Sequence, residues 1–265
     1  MKIVVAVKQV AALDEEFELV EDGVGVDADF LEWDLNEWDT FSLEAALQLR
    51  DDAGGDGHEV VAVTVGDEEA EEGLLSCLAK GADRAVRVWD EELEGADVLA
   101  VARVLAAMVE RESPDLVLCG VQSSDAVNGA TGTALAGFLD LPRVAVVTAL
   151  EWDASGGVAT VHRELEGGVI EVLRIHAPAL LTIQTGINEP RYATLRAIKQ
   201  AREKPLEVFG LDDLGLDPAV VQAAAGSRTV ALATPDRGAG AEMLNGSPAA
   251  VAARIVEIVQ ERMSG

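Results

Sequence analysis

The stretch "PDLVLCGVQSSDAVNGATGTALAG" (114–137) decides how this chain is read. It opens on an apolar run, Leu116 to Leu118, within a strand expected over 114–120. Thirteen residues follow, Val121 to Thr133, that are mostly small or polar, with no Lys, Arg or aromatic among them. A helix is expected from about 128 to 139. A strand that is apolar without alternation is covered on both faces, as in a parallel sheet. Small side chains after such a strand let something approach the backbone.

Working outward, the same unit recurs. "KIVVAVKQ" (2–9), "HEVVAVTVG" (58–66), "RAVRVW" (84–89) and "RVAVVTALEW" (143–152) read as further strands. Between them lie three helices. The first, 35–55, carries Leu43, Ala46, Leu47 and Arg50 on one face and stops at Gly54–Gly55. The second, 68–83, has acidic residues in its first turn, which suits the helix dipole. The third, 98–112, has Asp97 as its cap. This alternation predicts an α/β fold, a mainly parallel sheet with helices on both faces. Ligands of such sheets bind at the carboxyl ends of the strands. That directs attention to the loops 8–13, 64–69 and 120–132.

Past residue 150 the pattern changes. "GGVATVHREL" (156–165) and "GGVIEVLRIH" (167–176) alternate and are expected to form an antiparallel hairpin turning at Glu166–Gly168. A buried strand is expected over 177–186. The stretch 187–217 is poor in regular pattern apart from a short helix near 194–202. Leu206, Val208, Leu211, Leu214 and Leu216 persist through it, which suggests an arm lying over a partner. "RTVALAT" (228–234) reads as a short strand. The terminal helix, 246–263, has Ser247 as cap and Pro248 in its first turn. The expected organisation is an α/β domain over 1–186, including the hairpin 156–176. An extended arm, docking loop and terminal helix, packing on a partner subunit, would occupy 187–265.

The chain has 265 residues, 49% of them apolar, enough for a sizeable core. It carries 48 acidic and 20 basic residues, a formal charge of −28. A field of that sign argues against nucleic acid and anionic membranes as partners. Many carboxylates, few Lys and abundant Ala and Val resemble proteins adapted to high salt, where self-repulsion is screened. No apolar run reaches the ~18 residues of a membrane span. The first apolar run, Ile3 to Val7, reads as a strand rather than a signal peptide, so a cytoplasmic location is expected. Cys77 and Cys119 are not in a CxxC pair and read as buried thiols. His58, His162 and His176 are scattered, so a metal site is not expected.

Neither common phosphate loop, GxGxxG after a strand or GxxxxGK[ST], is present. Gly129-Ala130-Thr131-Gly132 lies at the start of a helix, beside Ser123, Ser124, Asp125 and Asn128. Free N–H groups there can hold a phosphate, with a hydroxyl from Thr131. An ordinary helix, capped by Asp125 or Asn128 and packed closely through glycines, accounts for the same residues. No nucleophile–base pair is visible, so catalytic residues are not expected.

Several segments together resemble the electron transfer flavoprotein beta subunit. They are "VAVKQV" (5–10), "NEWDTFSLEAAL" (36–47), "VTVG" (63–66), "AKGADRAVRV" (79–88), "RELEGGVIEVLRIHAPALLT" (163–182), "NEPRYATLRAIKQAREKPLEV" (188–208) and "GSPAAVAARIVEIV" (246–259). The resemblance implies an adenine nucleotide alpha hydrolase-like fold in a heterodimer with an alpha subunit that holds most of a redox FAD. It implies AMP in this chain, or a second FAD in bifurcating members. Electrons would pass from flavin dehydrogenases, such as acyl-CoA dehydrogenases, to a quinone oxidoreductase. It maps the nucleotide site onto Ala6, Asn36, Asp39, Val65, Gly120, Asp125, Asn128, Gly129, Ala130, Thr131 and Gly132, and places Trp38 near the redox FAD. Leu195, with Tyr192 and Arg196, would form the docking anchor. The family's N-Q-T-G, or A-Q-V-G-P in bifurcating members, reads Gly129-Ala130-Thr131-Gly132 here. The Gln is missing, while Thr-Gly is kept with no Pro, which leans towards AMP and leaves both readings open. Two other readings compete: a stand-alone adenine-nucleotide-binding protein, like universal stress proteins, and a structural subunit with a vestigial pocket.

Overall fold

Strand β1 (Lys2–Ala6) lies near the middle of a nine-stranded sheet, and its side chains divide between two cores. The computed structural model describes residues 1–13, 17–21, 23–55, 57–234, 241 and 243–263. Ile3 and Val5 face one helical layer, while Val4 and Ala6 face the other, the two-residue period of a strand. Beside β1 lie β4 (Glu59–Val65) and β6 (Leu116–Gly120), both parallel to it. Outward from β4 comes β5 (Arg84–Val88). On the other side, β10 (Ala179–Ile183) stands between β6 and β7 (Arg143–Asp153), parallel to both. The parallel sheet covered on both faces, expected from the unbroken apolar strands, is the one observed.

Helices α1 (Glu37–Asp52) and α2 (Glu71–Lys80) cover the Ile3 face. Helices α3 (Val98–Glu112) and α4 (Thr131–Phe138) cover the Val4 face. Leu43, Leu47, Leu74 and Leu78 are fully enclosed on the first side. Each such leucine contributes roughly 2 kcal/mol of burial. Gly81, at φ 131°, ends α2, and Asp97 caps α3 through Leu99 N–H and Ala100 N–H.

Strands β8 (Val158–Leu165) and β9 (Val169–His176) form the expected hairpin in continuous register, from Val158 against His176 to Leu165 against Val169. It continues the main sheet, because β8 pairs antiparallel with β7.

Three expectations need correction. The loop after β1 is largely a strand: β2 (Gln9–Leu13) pairs with β3 (Leu31–Leu35) in a separate antiparallel ribbon. The irregular stretch 187–217 holds, besides α5 (Leu195–Ala201), a strand β11 (Leu206–Phe209) that extends the sheet beside β5. Four half-exposed residues between Pro205 and Gly210 carry too little alternation to announce an edge strand. A further helix, α6 (Pro218–Ala224), starts at the cap Asp217 and packs Val221 into the α3 side. Finally, 228–234 is not a strand. Its alternating side chains are exposed and have no neighbouring strand to pair with.

The chain divides into two units, Met1–Val230 and Ala231–Gly265. In the second, α7 (Pro248–Met263) begins where Ser247 Oγ accepts the Ala250 N–H at 3.3 Å, the expected cap. Of the arm expected over 187–265, residues 235–240, 242 and 264–265 lie outside the described residues. Among the described residues no helix is long and apolar enough to cross a membrane.

Candidate nucleotide cleft

The strand order runs β4-β1-β6, so the chain leaves β1 towards one side and later returns on the other. Such a reversal opens a crevice at the carboxyl ends of the two central strands. Here it is a cleft of about 330 Å³. That lies within the range of roughly 300–1,000 Å³ typical of small-molecule sites.

Its floor is organised by the start of α1. Asn36 and Asp39 are both buried there. Asp39 Oδ2 accepts the Lys8 N–H and Oδ1 the Gly120 N–H, each at 2.8 Å. One carboxylate thus ties together the chain ends leaving β1 and β6. Burial pushes the Asp39 carboxyl up to about 7, against the pull of the Lys8 and Gly120 N–H groups and the Asn36 side chain. Asn36, standing before the first turn of α1, does not cap that helix. Its Nδ2 donates to Gln122 O at 2.9 Å, and its Oδ1 accepts the Ser124 N–H at 3.2 Å. The asparagine thereby holds the small-residue loop instead.

The glycines allow close approach. A methyl group on Gly120 would stand 2.5 Å from Trp38 Cβ and 2.6 Å from Asp39 Oδ1. On Gly132 it would meet Cys119 Sγ at 2.5 Å. Helix α4 starts at Ala130–Thr131 without a side-chain cap, so neither Asp125 nor Asn128 serves as one. Asp125 instead closes on Lys8 Nζ at 2.7 Å. Burial works against the ionised carboxyl, but Lys8 and Ser123 hold it below the usual carboxylate range.

Ala6, Asn36, Asp39, Val65, Gly120, Asn128, Gly129, Ala130 and Thr131 all line this cleft. Asp125 stands behind it through Lys8, and Gly132 packs beneath it against Cys119 and Thr182. Trp38 is half-buried beside Gly120 and donates from Nε1 to Gln184 Oε1 at 2.8 Å. Tyr192, Leu195 and Arg196 are exposed at the start of α5, Leu195 at 82% and Tyr192 at 97%. They are no part of the cleft.

Two contributors escaped the sequence. Residues 95–98 and Val101, where α3 begins, line the same cleft, as do Ser227, Arg228 and Thr229. Asp97 Oδ2 accepts the Gly226 and Ser227 N–H groups, each at 2.8 Å, and the Ser227 hydroxyl at 3.0 Å. Burial pushes this carboxyl up, but the Ala100, Gly226 and Ser227 donors outweigh it and leave the group below its ordinary range. Asp97 is readable as a cap; a tie across 130 residues has no local signal.

The cysteines are buried and free, and burial pushes both thiols up, Cys77 to about 12.

The Electron transfer flavoprotein domain matches residues 24–214. The electron transfer flavoprotein subunit beta of Methylophilus methylotrophus is 49% identical over 262 residues, covering 98% of each chain. The chain belongs to the electron transfer flavoprotein beta-subunit family. The beta subunit of Bacillus subtilis is 35% identical over 93% of each chain. The human one is 37% identical over 82% of this chain and 84% of its own. The domain match takes in this chain's α1 and loop 120–132 and begins after β1.

Proposed function

We propose that this chain binds AMP in the cleft and serves as the electron-carrier beta subunit of a heterodimeric flavoprotein. It would act in the cytoplasm, accepting electrons from flavin dehydrogenases such as acyl-CoA dehydrogenases and passing them to a quinone oxidoreductase. The alpha subunit would carry most of the redox FAD. FAD, when bound, supplies the redox chemistry; the protein supplies position and electrostatics.

The carrying observation is the convergence at the switch point. Nine of the eleven residues mapped from the family line one cleft, and the remaining two stand directly behind it. The uncapped start of α4 offers N–H groups to an anion. Ala6 and Val65 line it from the ends of the neighbouring strands β1 and β4. Asn36 and Asp39 hold the loop and the floor in place and need no reaction of their own. Trp38 borders the Gly120 side, where it would approach the redox flavin. Tyr192, Leu195 and Arg196 form the dehydrogenase-docking anchor, exposed on a segment that is itself held to α1.

The test is to co-purify the chain with its alpha subunit, denature the complex and count what is released. One FAD and one AMP per heterodimer is expected. Two FAD without AMP would mean the bifurcating type, and no nucleotide from this chain would mean a structural subunit. A colourless homodimer that binds ATP would replace the carrier reading with a stand-alone binder.

A further inference from the structure

Four charged side chains line the cleft: Lys8, Asp39, Asp97 and Arg228. Three are satisfied within the protein. Asp39 takes two backbone N–H groups. Asp97 caps α3 with one oxygen and holds residues 226–227 with the other. Lys8 closes on Asp125. Arg228 alone has no ionic partner among the described residues. This chain has 48 acidic and 20 basic residues, so carboxylates are plentiful. A guanidinium that lines the cleft without an ionic partner among the described residues is open to an anion there.

Arg228 is also placed there rather than drifting there. Asp97 receives three donors from the two residues before it, so the chain is fixed across the mouth of the cleft just where Arg228 leaves it. The same carboxylate sets the start of α3. The strap and the α3 side of the cleft are thus one piece. The uncapped start of α4 lines the same cavity.

We propose that Arg228, held on this strap by Asp97, pairs with the phosphate of the nucleotide bound in the cleft. The inference rests on the nucleotide reading above and names the residue that selects a nucleotide over a nucleoside. A guanidinium fork suits phosphate oxygens, and such a pair is charge-assisted. AMP and FAD share this phosphate chemistry.

The test is equilibrium dialysis of AMP, FAD and adenosine against the full chain in complex with its alpha subunit, after nucleotide exchange. The parent is compared with Arg228→Gln and Arg228→Lys. Arg228→Gln should weaken whichever phosphate-bearing ligand the parent binds by roughly 10-fold to 100-fold, and leave adenosine unchanged. Arg228→Lys should recover part of the loss. Equal losses for AMP and adenosine, or no loss for AMP and FAD, would overturn the assignment while leaving the cleft a nucleotide site. A parent that binds none of the three overturns the nucleotide reading and the assignment with it.

Discussion

Arg191 and Glu44 form a two-pronged ion pair between positions 147 residues apart, Nε to Oε2 at 2.7 Å and Nη2 to Oε1 at 3.1 Å. Glu44 is buried on α1, and the third nitrogen of Arg191 reaches Asp51 on the same helix at 3.1 Å. Asn188 adds a bond from Nδ2 to Phe41 O at 3.0 Å. The turn that presents Tyr192 and Leu195 is therefore fastened to the helix that begins at the cleft. Arg191→Met would leave a buried carboxylate unpaired and should cost about 2 kcal/mol. Hydrogen exchange should quicken over residues 187–195 while the cleft amides stay protected. Unchanged exchange in that turn would contradict the role given to this pair.

Leu195 makes a separate prediction, because an 82% exposed leucine contributes little to the folded state. Thr194 Oγ caps α5 through the Ala197 N–H, so the residue stands on a fixed helix start. Leu195→Ala should shift stability by less than about 0.5 kcal/mol. It should slow flavin reduction by dehydrogenase without releasing nucleotide. Stopped-flow reduction at parental rates would remove Leu195 from the docking surface.

Asp39 should leave a mark on the pH dependence of stability. Its folded value of about 7 lies above the unfolded 3.8. The folded state then holds the extra proton between these values. The stabilisation from that proton is complete below about 3.8 and is lost as pH rises through about 7. Asp39→Asn cannot titrate. Its stability deficit against the parent should be largest near the acid end and shrink towards neutral pH, by at most about 1.4 kcal/mol per pH unit. Denaturant titrations of both proteins across this window measure the difference, and a constant gap would refute it.

Gly120 tolerates no side chain where it stands. Gly120→Ala places a methyl carbon against Trp38 and Asp39, so either α1 or the end of β6 must shift. A loss of roughly 1–3 kcal/mol is expected, together with weakened nucleotide binding, since the Gly120 N–H bond to Asp39 moves too. Thermal unfolding and nucleotide content of the purified variant read both effects.

A formal charge of −28 predicts a strong response to salt. Raising ionic strength from about 0.01 M to about 1 M shortens the Debye length from roughly 30 Å to 3 Å. The midpoint of unfolding should rise across that range. A flat response would mean that the acidic surface is adapted to something other than salt.

The parts of the fold legible in sequence are those where burial is two-sided. β1, β4 and β6 are unbroken apolar runs, and Asp97 and Ser247 announce their helices by type and place. What escaped has one face in water or depends on distant partners. The β2–β3 ribbon and β11 are short and largely half-exposed, and β11 pairs with a strand about 120 residues earlier. The cleft was legible as a loop, 120–132, and as a set of positions shared with a family. Its closure by residues 227–229 was not, because the contact that makes it, Asp97 to Ser227, spans 130 residues.

The placement of β10 between β6 and β7 bears on how the molecule is made. β6 and β7 follow one another in sequence, yet they are joined only through a strand synthesised after the whole hairpin. A nascent chain that has reached His176 therefore carries two sheet fragments, each with an unpaired backbone edge facing the gap. Such edges are templates for joining the wrong chain. Between the synthesis of Arg143 and that of Ile183 those edges have no partner strand within the chain's finished portion. The single strand that ends that interval is the one that welds the hairpin to the half that holds the cleft.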